Sequence, residues 1–164
     1  MQFKNFPRSL IVAGGVALIG VVGASSIAAD QTNNRAAAFA IKYRQSVYTV
    51  MYGNFAPLGA MVKGTAPYDA AKFTQRAERV AYLAQLAGEA FPAESQSGAT
   101  TAAKPEIWTN RAEFDKLMKN WQDKTVALAK VANGGNLDAI KPAFGAVVEA
   151  CKACHDKFRV EEKH

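Results

Sequence analysis

The chain has 164 residues, of which 49% are hydrophobic and 21% are charged, and its formal net charge is +6. This length leaves room for one domain, and the composition is that of an ordinary globular protein. The basic residues are scattered and form no block, so a nucleic-acid partner is not expected.

Residues 1–29 have the features of a secretory signal peptide. Lys4 and Arg8 precede an apolar run, and small residues follow it up to Ala28 and Ala29. The run is shorter than the roughly 20 residues that span a bilayer, so we expect cleavage after Ala28 or Ala29. An uncleaved N-terminal anchor is the alternative. Cleavage would lower the net charge from +6 to +4, because two bases are lost, and would leave a periplasmic chain without a membrane attachment.

The mature region, residues 30–164, predicts one all-α domain, because its apolar residues recur at helical spacing. A first helix is expected to begin at Asn33 or Asn34 and to end or kink at Pro57. Asp69 is the predicted N-cap of a second helix. The predicted inner positions are Ile41, Tyr48, Met51, Tyr52 and Phe55 in the first helix and Phe73, Val80, Leu83 and Leu86 in the second.

The second half of the chain predicts a long loop and two more helices. Residues 92–108 have the composition of a crossover loop. Asn110 and Glu113 form a capping-box pattern at the start of a third helix. Gly134-Gly135 ends that helix, and a last helix begins near Asn136. Its predicted inner positions are Leu137, Ile140, Phe144, Val147, Val148, Cys151, Cys154 and Phe158, and those of the third helix are Phe114, Leu117, Met118, Trp121, Thr125 and Leu128. The pattern predicts an antiparallel four-helix bundle.

The last helix carries Cys151-Lys152-Ala153-Cys154-His155, the C-x-x-C-H pattern of covalent haem c attachment. Helical spacing places the two thiols and the imidazole on one face. A disulfide, a redox dithiol or a zinc site would use the same cysteines. A thioredoxin-like site needs a preceding strand, and a zinc site needs about four ligands, whereas the only other histidine is His164. We therefore predict one haem c with His155 as an iron ligand.

Two arginines are candidates for binding the haem propionates. Arg44 lies one turn before Tyr48 in the first helix, and Arg159 lies four residues after His155. A guanidinium group binds a carboxylate through two parallel hydrogen bonds. The alternative for each arginine is a solvated position on the surface of the bundle.

The C-x-x-C-H motif at the end of the last helix of a bundle resembles cytochrome c prime, the class II c-type cytochromes. The similarity includes residues 42–46 (Lys-Tyr-Arg-Gln-Ser), 66–71 (Ala-Pro-Tyr-Asp-Ala-Ala), 105–108 (Pro-Glu-Ile-Trp) and 151–159. The resemblance implies a five-coordinate, high-spin haem whose distal face is blocked by a side chain of the first helix. Tyr48 has that position, where the family often has an apolar residue, and it would shield the iron by bulk or donate a hydrogen bond to a ligand.

The resemblance implies further contacts. Arg44 and Gln45 are expected at the haem edge, Arg159 near the proximal histidine, and Phe91 in the pocket. Residues 92–104 depart from the family pattern, and we assign them no haem contact. The family also implies a homodimer through the first two helices, for which the small and apolar candidates are Ala56, Leu58, Ala60 and Met61.

The function implied by the resemblance is the binding of nitric oxide and carbon monoxide, with sequestration or detoxification of nitric oxide in the periplasm and an unidentified redox partner. The alternative is a low-spin electron carrier in which Met51, one turn beyond Tyr48, completes the iron coordination. The simpler role of Met51 is to fill the core. An enzyme is not expected, because peroxidase chemistry requires a distal base and the only histidine besides His155 is the terminal one.

Overall fold

The computed structural model describes the backbone of residues 22–160 and the side chains of residues 30–160. The helices are Val22–Val62 (α1), Ala70–Glu89 (α2), Glu106–Thr109 (α3), Arg111–Ala132 (α4) and Leu137–Phe158 (α5), with a 3-10 turn at Ala93–Gln96. The four long helices pack in sequence order, α1 on α2, α2 on α4 and α4 on α5. They form the all-α four-helix bundle that the sequence predicts. The 3-10 turn and the single-turn helix α3 lie in the segment predicted as a loop.

Helix α1 begins earlier than predicted. It already includes Val22, inside the predicted signal peptide, and runs through Asn33 and Asn34 without a break. The predicted start is wrong because the alanine-containing segment before the two asparagines is itself compatible with a helix. Residues 1–21 lie outside the described residues, so cleavage of a signal peptide stays a prediction. Within residues 22–160, none of the helices has the length and apolarity that crossing a membrane would require.

Helix α1 also continues through Pro57, where the sequence predicts an end or a kink. A proline removes the helical hydrogen bond to the carbonyl group four residues earlier, which here belongs to Gly53. Nη1 of Arg76 on α2 donates to that carbonyl oxygen over 3.2 Å. Beyond the proline, Leu58 and Met61 are buried in the core. Their burial, together with the bond from Arg76, offsets the cost of the proline.

The starts of the other long helices follow the predicted residues, with one difference in capping. The Asp69 carboxylate accepts a hydrogen bond from a backbone N–H in the first turn of α2, and the Asn136 side chain does the same in α5. At the start of α4, the Asn110 side chain makes no capping bond. The predicted capping box is wrong because α3 ends directly before Asn110. Glu113 instead accepts a hydrogen bond from Nζ of Lys157 over 2.6 Å.

The core lies where the four long helices face one another. The predicted inner positions are buried or packed against this core, with two exceptions. Tyr52 is 71% exposed and Val148 is 40% exposed. Each follows a buried neighbour, Met51 or Val147, and the rotation of about 100° per residue carries it to the edge of the apolar face.

The connection after α2, residues 90–105, is fixed to α1 by Arg44, which is only 4% exposed. Its Nη1 donates to the carbonyl oxygen of Ala90 over 3.2 Å and to Oγ of Ser95 over 2.9 Å. Its Nη2 donates to Oγ1 of Thr101 over 3.0 Å. The guanidinium group also lies 4.7 Å from the ring centre of Phe91. The alternative of a solvated surface position is therefore wrong for Arg44.

We expect Arg44→Met to lower the free energy of unfolding by about 3 kcal/mol, because buried acceptors on the connection would lose their donor. Arg44→Lys keeps the charge but lacks the planar fork, so its loss should be intermediate. Denaturant unfolding of the purified protein, followed by far-ultraviolet circular dichroism, measures both variants. A loss below about 1 kcal/mol for Arg44→Met would contradict a clamping role, since it would not exceed a single ordinary hydrogen bond.

Candidate functional site

A pocket of about 140 Å³ opens between α1, α4 and α5, and Val80 of α2 completes its wall. Helix α5 presents Cys151, Cys154 and His155 to it, as the helical spacing of the motif predicts. The rest of the wall is mainly aliphatic and aromatic, which suits an apolar macrocycle. The remaining lining residues are Tyr48, Met51, Tyr52, Phe55, Val80, Leu117, Met118, Trp121 and Val147.

The two cysteines are half-buried on the last turns of α5 and form no disulfide bond with each other. Burial is the main cause that raises the pKa of both thiols, to about 11 for Cys154. A redox-active dithiol requires the opposite shift, because the thiolate is the reactive species. The surroundings of Cys151 and Cys154 therefore disfavour a thioredoxin-like role and are compatible with neutral, covalently capped sulfurs.

His155 lines the pocket but is exposed on its other side, which places it at the pocket mouth. Burial of part of the ring is the main cause that lowers the pKa of His155, and the positive charge of Arg159 adds to this effect. The imidazole is therefore neutral near pH 7, which is the form that binds a metal ion. The backbone N–H of Arg159 donates to the carbonyl oxygen of His155 over 3.0 Å, so Arg159 lies beside the histidine.

Tyr48 forms the α1 side of the pocket. Its ring is stacked against Trp121, with 6.3 Å between ring centres and 23° between planes, and it meets Phe91 edge-on at 6.3 Å. Phe91 thus contacts the Tyr48 ring, but it is not among the residues that line the pocket. Burial raises the pKa of the Tyr48 phenol well above its usual range, so the hydroxyl group stays protonated.

Arg44 and Gln45 bind the connection after α2 instead of lining the pocket. The Arg44 bonds are described above, and Nε2 of Gln45 donates to the carbonyl oxygen of Thr100 over 3.0 Å. Neither residue is among those that line the pocket. Their contacts with the haem edge stay a prediction, and the structure adds that both side chains also hold the connection after α2.

Trp121 is the pocket residue whose role the sequence does not indicate. It is 6% exposed, and its Nε1 has no hydrogen-bond partner among the described residues. A buried, unpaired donor costs about 1–3 kcal/mol and is rare in folded proteins, so it points to a further group in the pocket. The indole N–H lies close enough to the Cys151 thiol to lower the pKa of that thiol, against the larger effect of burial, although no hydrogen bond of ordinary length joins them. The residues present therefore fit a haem that is held at the C-x-x-C-H motif.

Comparison with known proteins gives one consistent family. A family model described as Cytochrome C' matches residues 39–159. A cytochrome c' of Alcaligenes xylosoxydans xylosoxydans is 42% identical over 120 residues, which cover 73% of this chain and 92% of the relative. A cytochrome c' of Rubrivivax gelatinosus is 35% identical over 120 residues, covering 73% and 93% of the two chains.

Solved structures show the same similarity in three dimensions. Cytochrome c prime from Shewanella frigidimarina has 40% sequence identity and a TM-score of 0.73, and the match covers 76% of this chain and 97% of that one. A nitric oxide complex of a leucine-to-isoleucine variant of cytochrome c prime from Alcaligenes xylosoxidans has 39% identity and a TM-score of 0.71, with the same coverage of 76% and 97%.

Proposed function

Because this chain belongs to the cytochrome c prime family, we propose that it is a haem c protein that binds small diatomic gases, nitric oxide and carbon monoxide among them. The observation that carries the proposal is that one pocket is lined both by the attachment motif of α5 and by Tyr48 of α1. The nitric oxide complex of a similar protein supports this class of ligand.

Each lining residue has a separate task in this proposal. Cys151 and Cys154 would hold one haem through thioether bonds, and His155 would be the protein ligand of its iron. The haem would supply an iron atom that binds a diatomic ligand and exchanges one electron. Leu117 and other apolar residues exclude water, while the bulk of Tyr48 restricts the pocket to small ligands.

We further propose that the biological role is sequestration or detoxification of nitric oxide in the periplasm, with an unidentified redox partner. An apolar wall suits an uncharged gas, because an anion would lose its hydration without gaining a paired charge. Titration of the reduced protein with nitric oxide, followed by visible absorption, is expected to saturate at one ligand per chain. The control is the Cys151→Ala/Cys154→Ala variant, freed of any haem that His155 alone holds, which should not respond. Failure of the unmodified protein to bind nitric oxide would contradict the proposal.

A low-spin electron carrier is the second candidate, because Met51 lines the same pocket as Tyr48. Its thioether sulfur is a known sixth ligand for haem iron. Met51 is 6% exposed and packs within the main hydrophobic core, which fits the role of a core filler. We favour the gas binder, and the spectrum described at the end of the Discussion distinguishes the two.

We propose that the protein is not an enzyme. Of the described residues that line the pocket, His155 is the only histidine, and it is assigned to the iron. Without a distal base, peroxide turnover should be about 10²–10⁴-fold slower than in a dedicated haem peroxidase, the usual contribution of general acid–base catalysis. Oxidation of guaiacol by hydrogen peroxide measures this rate. A rate equal to that of a peroxidase would contradict the proposal.

The predicted homodimer stays a proposal, but its interface needs a different surface. Leu58 and Met61, two of its four predicted residues, are buried within one chain because α1 continues past Pro57 into the core. The other two are half-buried. Helix α1 instead exposes Phe39 and Val50, which are 72% and 53% exposed on one side of the helix. Such exposed apolar residues are candidates for burial in an interface.

We expect sedimentation velocity at micromolar concentration to show a dimer, and Phe39→Glu to shift it towards the monomer. A charge placed in an apolar interface loses hydration without a partner. Val126→Glu is the matched control, because Val126 is also exposed (51%) but lies on α4, far from the proposed interface in the bundle order. A monomeric unmodified protein would contradict the dimer, and equal effects of both variants would contradict this location.

A further inference from the structure

His155 lies in the last turn of α5, which ends at Phe158. The carbonyl groups in the last turn of a helix lack partners within the helix, and this turn opens more readily than the middle. A metal ligand needs neighbouring groups that keep its ring in one orientation. The end of α5 therefore needs support from outside its own helix.

Residues 101–104, which we call the strap, lie antiparallel to the residues that end and follow α5. The backbone N–H of Lys104 donates to the carbonyl oxygen of Phe158 over 2.9 Å. The backbone N–H of Val160 donates to the carbonyl oxygen of Ala102 over 2.8 Å. The first bond gives a partner to a carbonyl group that the helix itself leaves without one. The strap thus holds the last turn of α5 closed.

The side chain of Thr101 holds the strap in place. Its Oγ1 accepts a hydrogen bond from Nη2 of Arg44 on α1 over 3.0 Å and another from the backbone N–H of Ala103 over 3.1 Å. Arg44 is buried and also donates to Oγ of Ser95, so the donor on α1 is fixed. Thr101 therefore connects α1 to the strap, and the strap connects to the end of α5.

We propose that Thr101 is a positioning residue for His155. Thr101 is not among the residues that line the pocket, and it acts through the strap. The inference rests on the proposed function and deepens it, because it names what keeps the iron ligand of that site in one orientation. It also gives a role to a segment that departs from the family pattern and to which the sequence assigns no haem contact.

Helix α4 also contacts the end of α5, and these contacts are separate from the strap. Phe158 packs edge-on against Phe114, with 5.4 Å between ring centres, and Lys157 pairs with Glu113 at 2.6 Å. A change of the Thr101 side chain leaves both contacts in place. An effect of such a change on His155 is therefore an effect of the strap.

The first measurement is hydrogen exchange of the haem-loaded protein, followed by mass spectrometry of the peptide that contains residues 159 and 160. Thr101→Val keeps the branched shape but removes the acceptor, so exchange at these amide groups should be about fivefold faster, the effect of one ordinary hydrogen bond. Thr101→Ser retains the acceptor and should behave like the unmodified protein. Thr100→Val is the matched control, because Thr100 is exposed and bonds to α1 through its backbone carbonyl group.

The second measurement distinguishes a positioning role from a merely structural one. Resonance Raman spectra of the reduced, ligand-free protein contain the iron–histidine stretching band, whose frequency and width depend on the orientation of the histidine ring. We expect this band to be broader and lower in frequency in Thr101→Val. It should be unchanged in Thr101→Ser and in Thr100→Val.

Three results would overturn the inference while leaving gas binding intact. Faster exchange with an unchanged band in Thr101→Val would mean that the strap does not orient His155. Unchanged exchange in Thr101→Val would mean that Thr101 does not hold the strap, and equal effects of Thr100→Val would remove the specific role of Thr101. If the unmodified protein shows no iron–histidine band, the open coordination position of the proposed function fails and this inference fails with it.

Discussion

Replacing Cys151 and Cys154 together by alanine should abolish covalently bound haem. The two thiols line the same pocket as His155, and the sequence has no other cysteine. Without them the only protein bond to the haem would be the one from His155 to iron, which denaturation breaks. Acid denaturation followed by intact-mass measurement should show haem on the unmodified chain and none on the double variant.

A control inside the same motif shows that the effect is specific to the thiols. Lys152 lies between the two cysteines but is exposed and paired with Asp156 at 2.6 Å. Lys152→Ala should therefore keep its haem, and each single cysteine variant should keep one thioether bond. Haem that stays on the double variant after acid denaturation would contradict the assignment of the attachment site.

Tyr48→Ala should raise the rate constant for carbon monoxide association with the reduced protein by about tenfold or more. The ring fills the α1 side of the pocket and is held by Trp121 and Phe91, so an incoming ligand has to displace it. Each 1.4 kcal/mol removed from such a barrier is worth about tenfold in rate. Flash photolysis of the carbon monoxide complex measures the rate directly.

Tyr52→Ala is the matched control for this experiment. Tyr52 also lines the pocket from α1, but it is 71% exposed and stands at the edge. Its removal should change the association rate by less than about threefold, since an exposed ring is not held in the ligand's path. An unchanged rate in Tyr48→Ala would contradict the gating role, and an equal rise in both variants would indicate a general disturbance of α1.

Much of the bundle could be predicted because the relevant information is local. The spacing of apolar residues defines the inner faces, and the side chains of Asp69 and Asn136 cap the first turns that follow them. The path of α1 through Pro57 could not be predicted in this way. It depends on Arg76, whose bond to the Gly53 carbonyl joins two different helices.

The residues of the candidate site also form two groups, those that the sequence predicts and those that it does not. Cys151, Cys154 and His155 follow from the spacing within one helix, and the family resemblance adds Tyr48. The clamp made by Arg44 and the unpaired Nε1 of Trp121 could not be found from spacing. The Arg44 bonds reach residues 46 or more positions away, and the state of Trp121 depends on what the other helices place around it.

The central claim, a haem with an open coordination position beneath Tyr48, is tested most directly by the visible absorption spectrum of the purified, dithionite-reduced protein before and after nitric oxide is added. We predict a broad high-spin spectrum that shifts when the gas binds. Sharp low-spin α and β bands that do not respond to the gas would contradict the claim and would indicate a sixth protein ligand, with Met51 as the candidate.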